Sequence, residues 1–261
     1  MNILVVGRGW LGRKMFDQLV VNGHVVTVAP HYKASDAIER NAYDWVVNCA
    51  GVTGSPNVDA CELDKAATYQ GNAIFPIELN KLATQYGARF AHFSSGCIYE
   101  GPIEKVDADP NFFGSTYSIS KGVSDTILKQ DRDILMFRVR MPFDSSHHPK
   151  NLLQKLYNYA KSGKLIEGGP NSISDINESV SIAANMIETG IHGTFNLVQW
   201  NPITNVEIAK MMGIDAQWYT AEEFNAATKA KRSNCVIPAF EGATPVHISL
   251  ERAIAKFKET L

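Results

Sequence analysis

Ser95, Cys97, Tyr117 and Lys121 are the residues of this chain best equipped for chemistry. Tyr117-Ser-Ile-Ser-Lys121 sets a phenol and an ammonium four residues apart, so a helix presents both on one face. Upstream, Phe93-Ser-Ser-Gly-Cys-Ile-Tyr99 reads as a buried strand end that runs into a hydroxyl and then a thiol. A Tyr–Lys–Ser set is how a nicotinamide-dependent reductase handles a carbonyl. A Cys two residues past the Ser adds a base able to take a proton from the carbon beside that carbonyl. The pairing points to an enzyme that both epimerises and reduces a keto-sugar. Blander readings stand beside it: a Tyr-x-x-x-Lys pair occurs by chance in many helices, and a lone Cys near a strand end is usually a small buried hydrophobe.

The N-terminus separates these readings. Asn2-Ile-Leu-Val-Val6 is a short apolar run suited to a strand buried on both faces. It runs into Gly7-Arg-Gly-Trp-Leu-Gly12, which opens a helix with Leu11, Met15, Phe16, Leu19 and Val20 on its inner stripe. A glycine fingerprint placed between a strand and a helix permits a tight turn and a close backbone approach to a pyrophosphate, which then sits on the helix N-terminus. Further strands are predicted at His24–Val28, Trp45–Asn48, Phe90–Phe93 and Ile134–Val139. Helices are predicted from about Lys65 to Tyr86, kinked or divided at Pro76, and from Tyr117 to Lys129. The alternation implies an α/β chain of Rossmann type, a doubly wound parallel sheet with its ligand across the carboxyl ends of the strands.

After Pro142 the texture changes. Asp144-Ser-Ser-His-His-Pro149 is a polar loop, and Leu152, Lys155, Leu156 and Tyr159 recur at helical spacing. Thr194–Val198 reads as one more strand of the sheet and Thr204–Met212 as a helix. The expected division is a cofactor-binding domain over residues 1–143 and about 193–200, with a small C-terminal substrate lobe built from about 144–192 and 201–261.

Composition excludes several other classes. The chain has 261 residues, 45% of them hydrophobic, enough for one sizeable core with an annex. A formal net charge of −2 leaves no footprint for nucleic acid or an anionic membrane. No apolar run reaches the roughly 18 residues of a spanning helix. The chain opens on a strand rather than a charged leader, and Cys49, Cys61, Cys97 and Cys235 have no metal-ligand spacing. The expectation is therefore no metal, reduced thiols and a cytoplasmic location. NAD enzymes usually hold the ribose hydroxyls with an acid at the end of the second strand. Here that strand runs into Val28-Ala-Pro-His-Tyr-Lys33 with no acid, whereas Arg8, His31 and Lys33 suit a 2′-phosphate. The expected cofactor is NADPH.

The chain resembles the extended short-chain dehydrogenase/reductases that act on nucleotide sugars, above all the UDP-4-keto-6-deoxyglucose 3,5-epimerase/4-reductases of rhamnose synthesis, which are related to the dTDP-4-dehydrorhamnose reductases. The stretches that carry the resemblance are Ala50-Gly-Val-Thr-Gly-Ser-Pro-Asn-Val-Asp59, Gly96-Cys-Ile-Tyr-Glu100, Arg138-Val-Arg-Met-Pro142 and Arg232-Ser-Asn234. The glycines at 7, 9 and 12 are spaced one residue tighter than the family's usual turn. The resemblance implies a UDP-sugar substrate, a homodimer and an upstream 4,6-dehydratase. It implies that Ser95 and Tyr117 polarise the carbon-4 oxygen, that Lys121 lowers the tyrosine pKa and binds the nicotinamide ribose, and that Cys97 is the epimerisation base. The acid it implies is Lys155, with His147 and His148 close enough in sequence to compete. It also implies cofactor contacts from Gly7, Arg8, Gly9, Trp10, Leu11, Gly12, Lys33, Ala50, Gly51 and Asn72. Substrate contacts would come from Thr53, Asn57, Arg140, Asn151, Arg232 and Asn234. Two alternatives remain. One is a reductase without epimerase activity, against which Gly96 and Cys97 argue, since such enzymes usually carry Asp and an aromatic there. The other is a non-catalytic NADP-binding regulatory subunit, as in methionine adenosyltransferase.

Overall fold

The computed structural model describes residues 1–166 and 168–260. In chain order the first half contains β1 (Asn2–Val6), α1 (Trp10–Val21), β2 (Val25–Ala29), α2 (Ala34–Arg40), β3 (Trp45–Asn48), α3 (Lys65–Tyr69), α4 (Phe75–Gln85), β4 (Arg89–Ser95), β5 (Gly101–Pro102), α5 (Thr116–Leu128) and β6 (Leu135–Val139). The second half contains α6 (Leu152–Ser162), β7 (Lys164–Ile166), α7 (Ile176–Thr189), β8 (Gly193–Asn196), α8 (Asn205–Met212), β9 (Gln217–Tyr219), α9 (Ala221–Ala227), β10 (Cys235–Val236) and α10 (Val246–Glu259). Among the described residues no helix is long and apolar enough to cross a membrane.

Six parallel strands form the central sheet in the order β2-β1-β3-β4-β6-β8. The order reverses between β1 and β3, and the loops leaving those strands part there, opening the crevice in which doubly wound sheets bind ligands. The inner strands are buried on both faces, and β1, with Ile3, Leu4, Val5 and Val6 all buried, is apolar on each of them. Ile3 and Val5 pack with α1 and α7, while Leu4 and Val6 pack with α2 and α4 on the other side. A separate core joins α6, α8 and α10 through Leu153, Leu156, Ile208, Leu250 and Phe257.

Several boundaries differ from the sequence reading. His24 precedes β2, β4 runs on to Ser95, and α5 begins at Thr116 behind a Ser115 cap whose Oγ accepts the Ser118 N–H at 3.1 Å. The helix over residues 65–85 continues through Pro76, with a π turn at Gln70–Ile74 just before it. The widened turn shifts the hydrogen-bond ladder where Pro76 offers no N–H. Helix α7 lies on the sheet beside α1, its Val180, Ala183 and Ile187 packed against Met15 and Leu19. A division at residue 144 therefore puts one sheet-covering helix on the lobe side, because chain order does not reveal which helix returns to the sheet.

Candidate active site

The glycine turn is built by close approaches. Gly7 has φ +114°, and a Cβ there would stand 2.8 Å from the Ala50 nitrogen. A Cβ on Gly12 would fall 2.0 Å from the Gly7 carbonyl oxygen, so α1 packs directly on the turn. Gly9 faces open space, with nothing within 4 Å of where its Cβ would be, and α1 has neither a side-chain cap nor an acid in its first turn. That uncapped helix start beside an open cradle fits a pyrophosphate. Arg8, His31 and Lys33 are exposed. Trp10 turns toward the lobe and stacks on the His148 ring at 5.0 Å, and Lys14 pairs with buried Asp144 at 2.6 Å.

The loop after β3 is fixed from beneath. Asn48 Oδ1 accepts the Ala50 N–H at 3.0 Å. The fully buried Asn72, in the π turn, accepts the Val52 N–H at 2.8 Å. It donates to the Val52 carbonyl at 2.8 Å and to Ser120 Oγ at 3.2 Å. Its amide is thus occupied in holding Gly51 against Lys121; a Cβ on Gly51 would lie 3.2 Å from the lysine Nζ.

Ser95, Cys97, Tyr117 and Lys121 come together at the carboxyl end of β4. Ser95 Oγ accepts the Cys97 N–H at 3.1 Å. Burial raises the Tyr117 pKa above its ordinary value, the adjacent Cys97 thiol pushes it the same way, and the Ser95 hydroxyl lies close enough to the phenol to pull it down. The Lys121 ammonium donates to the Phe93 carbonyl at 3.3 Å and faces Asp125 and Cys49. Burial brings the Lys121 pKa down to about 8, against the opposing pull of Asp125. Behind it, Asp125 accepts from Arg138 at 2.5 and 2.8 Å and from Ser94 Oγ at 2.7 Å. Sequence reasoning gave Asp125 no role, although Tyr117, Lys121 and Asp125 form one i, i+4 stripe on α5.

Lys155 projects from α6 toward Cys97. Burial lowers its pKa, neighbouring Lys150 and Arg232 lower it further, and Cys97 opposes them. The two histidines part company. His147 uses one ring nitrogen on Gln154 at 2.7 Å and the other on Thr260 at 2.8 Å, against Phe257 at the outer end of the lobe. His148 accepts the Lys150 N–H on Nδ1 at 3.1 Å, and burial lowers its pKa.

The expected substrate ligands separate into two sets. Thr53 is exposed on the loop after β3, and Asn57 caps the turn that follows by accepting the Asp59 N–H at 2.9 Å. Arg232 pairs with Asp59 at 3.0 Å. Arg140, Asn151 and Asn234, by contrast, turn polar groups inward, although the buried Arg140 Nε has no partner among the described residues. Arg140 is 1% exposed and donates to the Gly96 carbonyl at 3.4 Å, to Ser233 Oγ at 3.0 Å, to the Ser233 carbonyl at 2.7 Å and to Asn171 Oδ1. Asn151 caps α6, accepting the Leu153 N–H at 3.0 Å and donating to the Asp144 carbonyl at 2.8 Å. Asn234 Oδ1 accepts from Asn171 at 2.9 Å and from the Gly169 N–H at 3.2 Å. Loop residues look alike in sequence whether they face a ligand or brace the loop that does.

A parallel sheet with a glycine turn at its switch point and a Ser–Tyr–Lys set at the next strand end defines an enzyme of the short-chain dehydrogenase/reductase type. The chain belongs to the family of the RmlD substrate binding domain, whose model matches residues 1–237. It is 29% identical to the bifunctional dTDP-4-dehydrorhamnose 3,5-epimerase/dTDP-4-dehydrorhamnose reductase of Arabidopsis thaliana over 98% of this chain and 92% of that protein. It is 30% identical, over 81% of its length, to the Arabidopsis thaliana trifunctional UDP-glucose 4,6-dehydratase/UDP-4-keto-6-deoxy-D-glucose 3,5-epimerase/UDP-4-keto-L-rhamnose-reductase, spanning only 34% of that longer protein. The crystal structure of a UDP-rhamnose synthase from Acanthamoeba polyphaga mimivirus superposes with a TM-score of 0.89 at 23% identity, covering 98% of this chain and 99% of the other.

Proposed function

We propose that the chain is an NADPH-dependent reductase of a nucleotide-linked 4-keto-6-deoxyhexose, and that the same site first epimerises carbons 3 and 5 to yield a nucleotide L-rhamnose. What supports the second half is that the Cys97 thiol acts electrostatically on both Tyr117 and Lys155, and that its N–H is bonded to Ser95. Carbons 3 and 5 both flank the carbon-4 ketone, so removal of either proton leaves negative charge on the same oxygen. Ser95 and Tyr117 hydrogen-bond that oxygen. Cys97 takes the proton on one face and Lys155 returns one on the other. When bound, NADPH supplies the hydride for carbon 4, and Tyr117 gives its proton to the resulting alkoxide. The turn Gly7–Gly12 would hold the pyrophosphate, Ala50 and Gly51 the middle of the cofactor, Lys121 the ribose, and Arg8 with Lys33 a 2′-phosphate. Residues 1–143 with 176–200 form the cofactor body in this reading, and the remainder the substrate lobe. Thr53, Asn57 and Arg232 stay as substrate contacts, with Asn72, Arg140, Asn151 and Asn234 shaping the loops behind them.

UDP is the proposed nucleotide. The chain would take its keto-sugar from a 4,6-dehydratase, an activity named in the trifunctional relative. We place it in the cytoplasm as a homodimer; its four cysteines are all unpaired, as a reducing compartment requires. The test is incubation of the protein and NADPH with UDP- and dTDP-4-keto-6-deoxyglucose in deuterated water. Rhamnose product with deuterium at carbons 3 and 5 supports the bifunctional reading. Reduction of 4-keto-rhamnose nucleotides alone makes the protein a reductase, and no turnover of either makes it a binder.

A further inference from the structure

Lys150 has no part in the chemistry above, yet both of its ends are tied to the site. Its backbone N–H donates to His148 Nδ1 at 3.1 Å, and that ring stacks on Trp10 of the glycine turn. Its ammonium donates to the Gly54 carbonyl, on the loop that carries Thr53 and Asn57. Gly54 is held at φ +67°, and a Cβ there would fall 2.2 Å from the Asn57 carbonyl oxygen, so only glycine aims this carbonyl at Lys150. The next residue, Asn151, caps α6, and Lys155 stands in the first turns of that helix. A half-buried cation is therefore pinned beside the lysine that faces Cys97.

We propose that Lys150 is a positioning residue for the epimerisation acid: fastened to the Gly54 carbonyl, it holds the start of α6 against the substrate loop and keeps a fixed like charge beside Lys155. The proposal rests on the reading of Lys155 as that acid. The groups facing Lys155 are Lys150 and His148 from the preceding loop, Cys97 from the turn after β4, and Arg232 from the segment before β10. Those acting on Lys150 itself include Cys61 from the turn after Asn57. Burial first, and then two cations against one thiol, make Lys155 give up its proton more readily than an exposed lysine does. An acid that must be discharged and recharged once per carbon gains from that, since proton transfer is fastest when the group's pKa lies near the working pH.

The experiment compares Lys150→Met and Lys150→Gln with Lys150→Arg. Epimerisation is read as solvent deuterium entering the keto-sugar, without NADPH, across pH. The pH dependence of Lys155 labelling by an amine-reactive reagent is read in parallel by mass spectrometry. The neutral variants should move the alkaline limb of exchange and the onset of Lys155 labelling to higher pH, and slow neutral-pH exchange by about tenfold, a fraction of what a general acid contributes. Lys150→Arg keeps the charge and should keep both profiles. Profiles unchanged in the neutral variants overturn the proposal even if KM rises, since a purely structural strap moves only KM. Failure of both neutral variants to fold also overturns it, making Lys150 a determinant of the fold. Absence of exchange in the wild-type protein sinks the epimerase reading instead, and the labelling profile still decides whether Lys150 tunes Lys155.

Discussion

Arg138 of β6 and Asp125 of α5 meet in a two-point ion pair, at 2.5 and 2.8 Å, with neither side chain exposed to solvent. Ser94 adds a third hydrogen bond to the same carboxylate at 2.7 Å. The ion pair thus fastens the helix bearing Tyr117 and Lys121 to β6, and the Ser94 bond ties the same carboxylate to β4, whose end bears Ser95. Removing one partner leaves an uncompensated buried charge. Asp125→Ala should cost about 3–5 kcal/mol of stability, measured by urea unfolding, and a loss below about 1 kcal/mol would show that the pocket relaxes around a lone arginine.

Lys121 carries a cost that its chemistry requires. Its pKa in the folded protein is about 8 against 10.5 for a free lysine, so charging it opposes folding by about 3 kcal/mol at pH 7. The sign follows from proton counts. Between pH 8 and 10.5 the unfolded chain binds the extra proton, so raising pH through this window favours the folded state. Lys121→Met should therefore raise the melting temperature of the cofactor-free protein at pH 7, lose that advantage by about pH 10, and abolish reduction. A variant less stable at pH 7 would mean the Phe93 carbonyl contact outweighs the burial penalty.

Division of labour between the thiol and the hydroxyls gives a kinetic contrast. Cys97→Ala should cut deuterium entry at carbons 3 and 5 by about 10²–10⁴-fold, the usual worth of a general base, and leave reduction of an already epimerised 4-keto-rhamnose nucleotide largely intact. Tyr117→Phe should damage both, because enolate and alkoxide share one donor. Near-normal exchange in the Cys97 variant would reduce the thiol to packing.

Cofactor choice follows from the end of β2, where Pro30 and exposed His31, Tyr32 and Lys33 stand instead of an acid. Titration with both reduced nicotinamides should favour NADPH. Arg8→Ala should weaken NADPH by about 10-fold or more, in keeping with one charged hydrogen bond, and leave NADH unchanged. Equal affinity for the two in the wild-type protein would mean the 2′-phosphate is not recognised.

What the sequence determined by itself was whatever depends on neighbours along the chain. The apolar run Asn2–Val6 before Gly7–Gly12, the Ser95–Cys97 step and the Tyr117–Lys121 spacing are local patterns, and strand, turn and helix geometry follow from them directly. Asp125 was legible in the same way, one turn past Lys121, had its place on the stripe been used. The tertiary structure alone decided that Lys155 faces Cys97 while His147 turns to Phe257 and Thr260. It likewise committed Arg140, Asn151 and Asn234 to bracing loops, placed α7 on the sheet, and set β3 directly beside β1. Each of these outcomes depends on pairings between segments far apart in the chain. Side-chain type states what a residue is able to bond, and only packing settles which partner reaches it first.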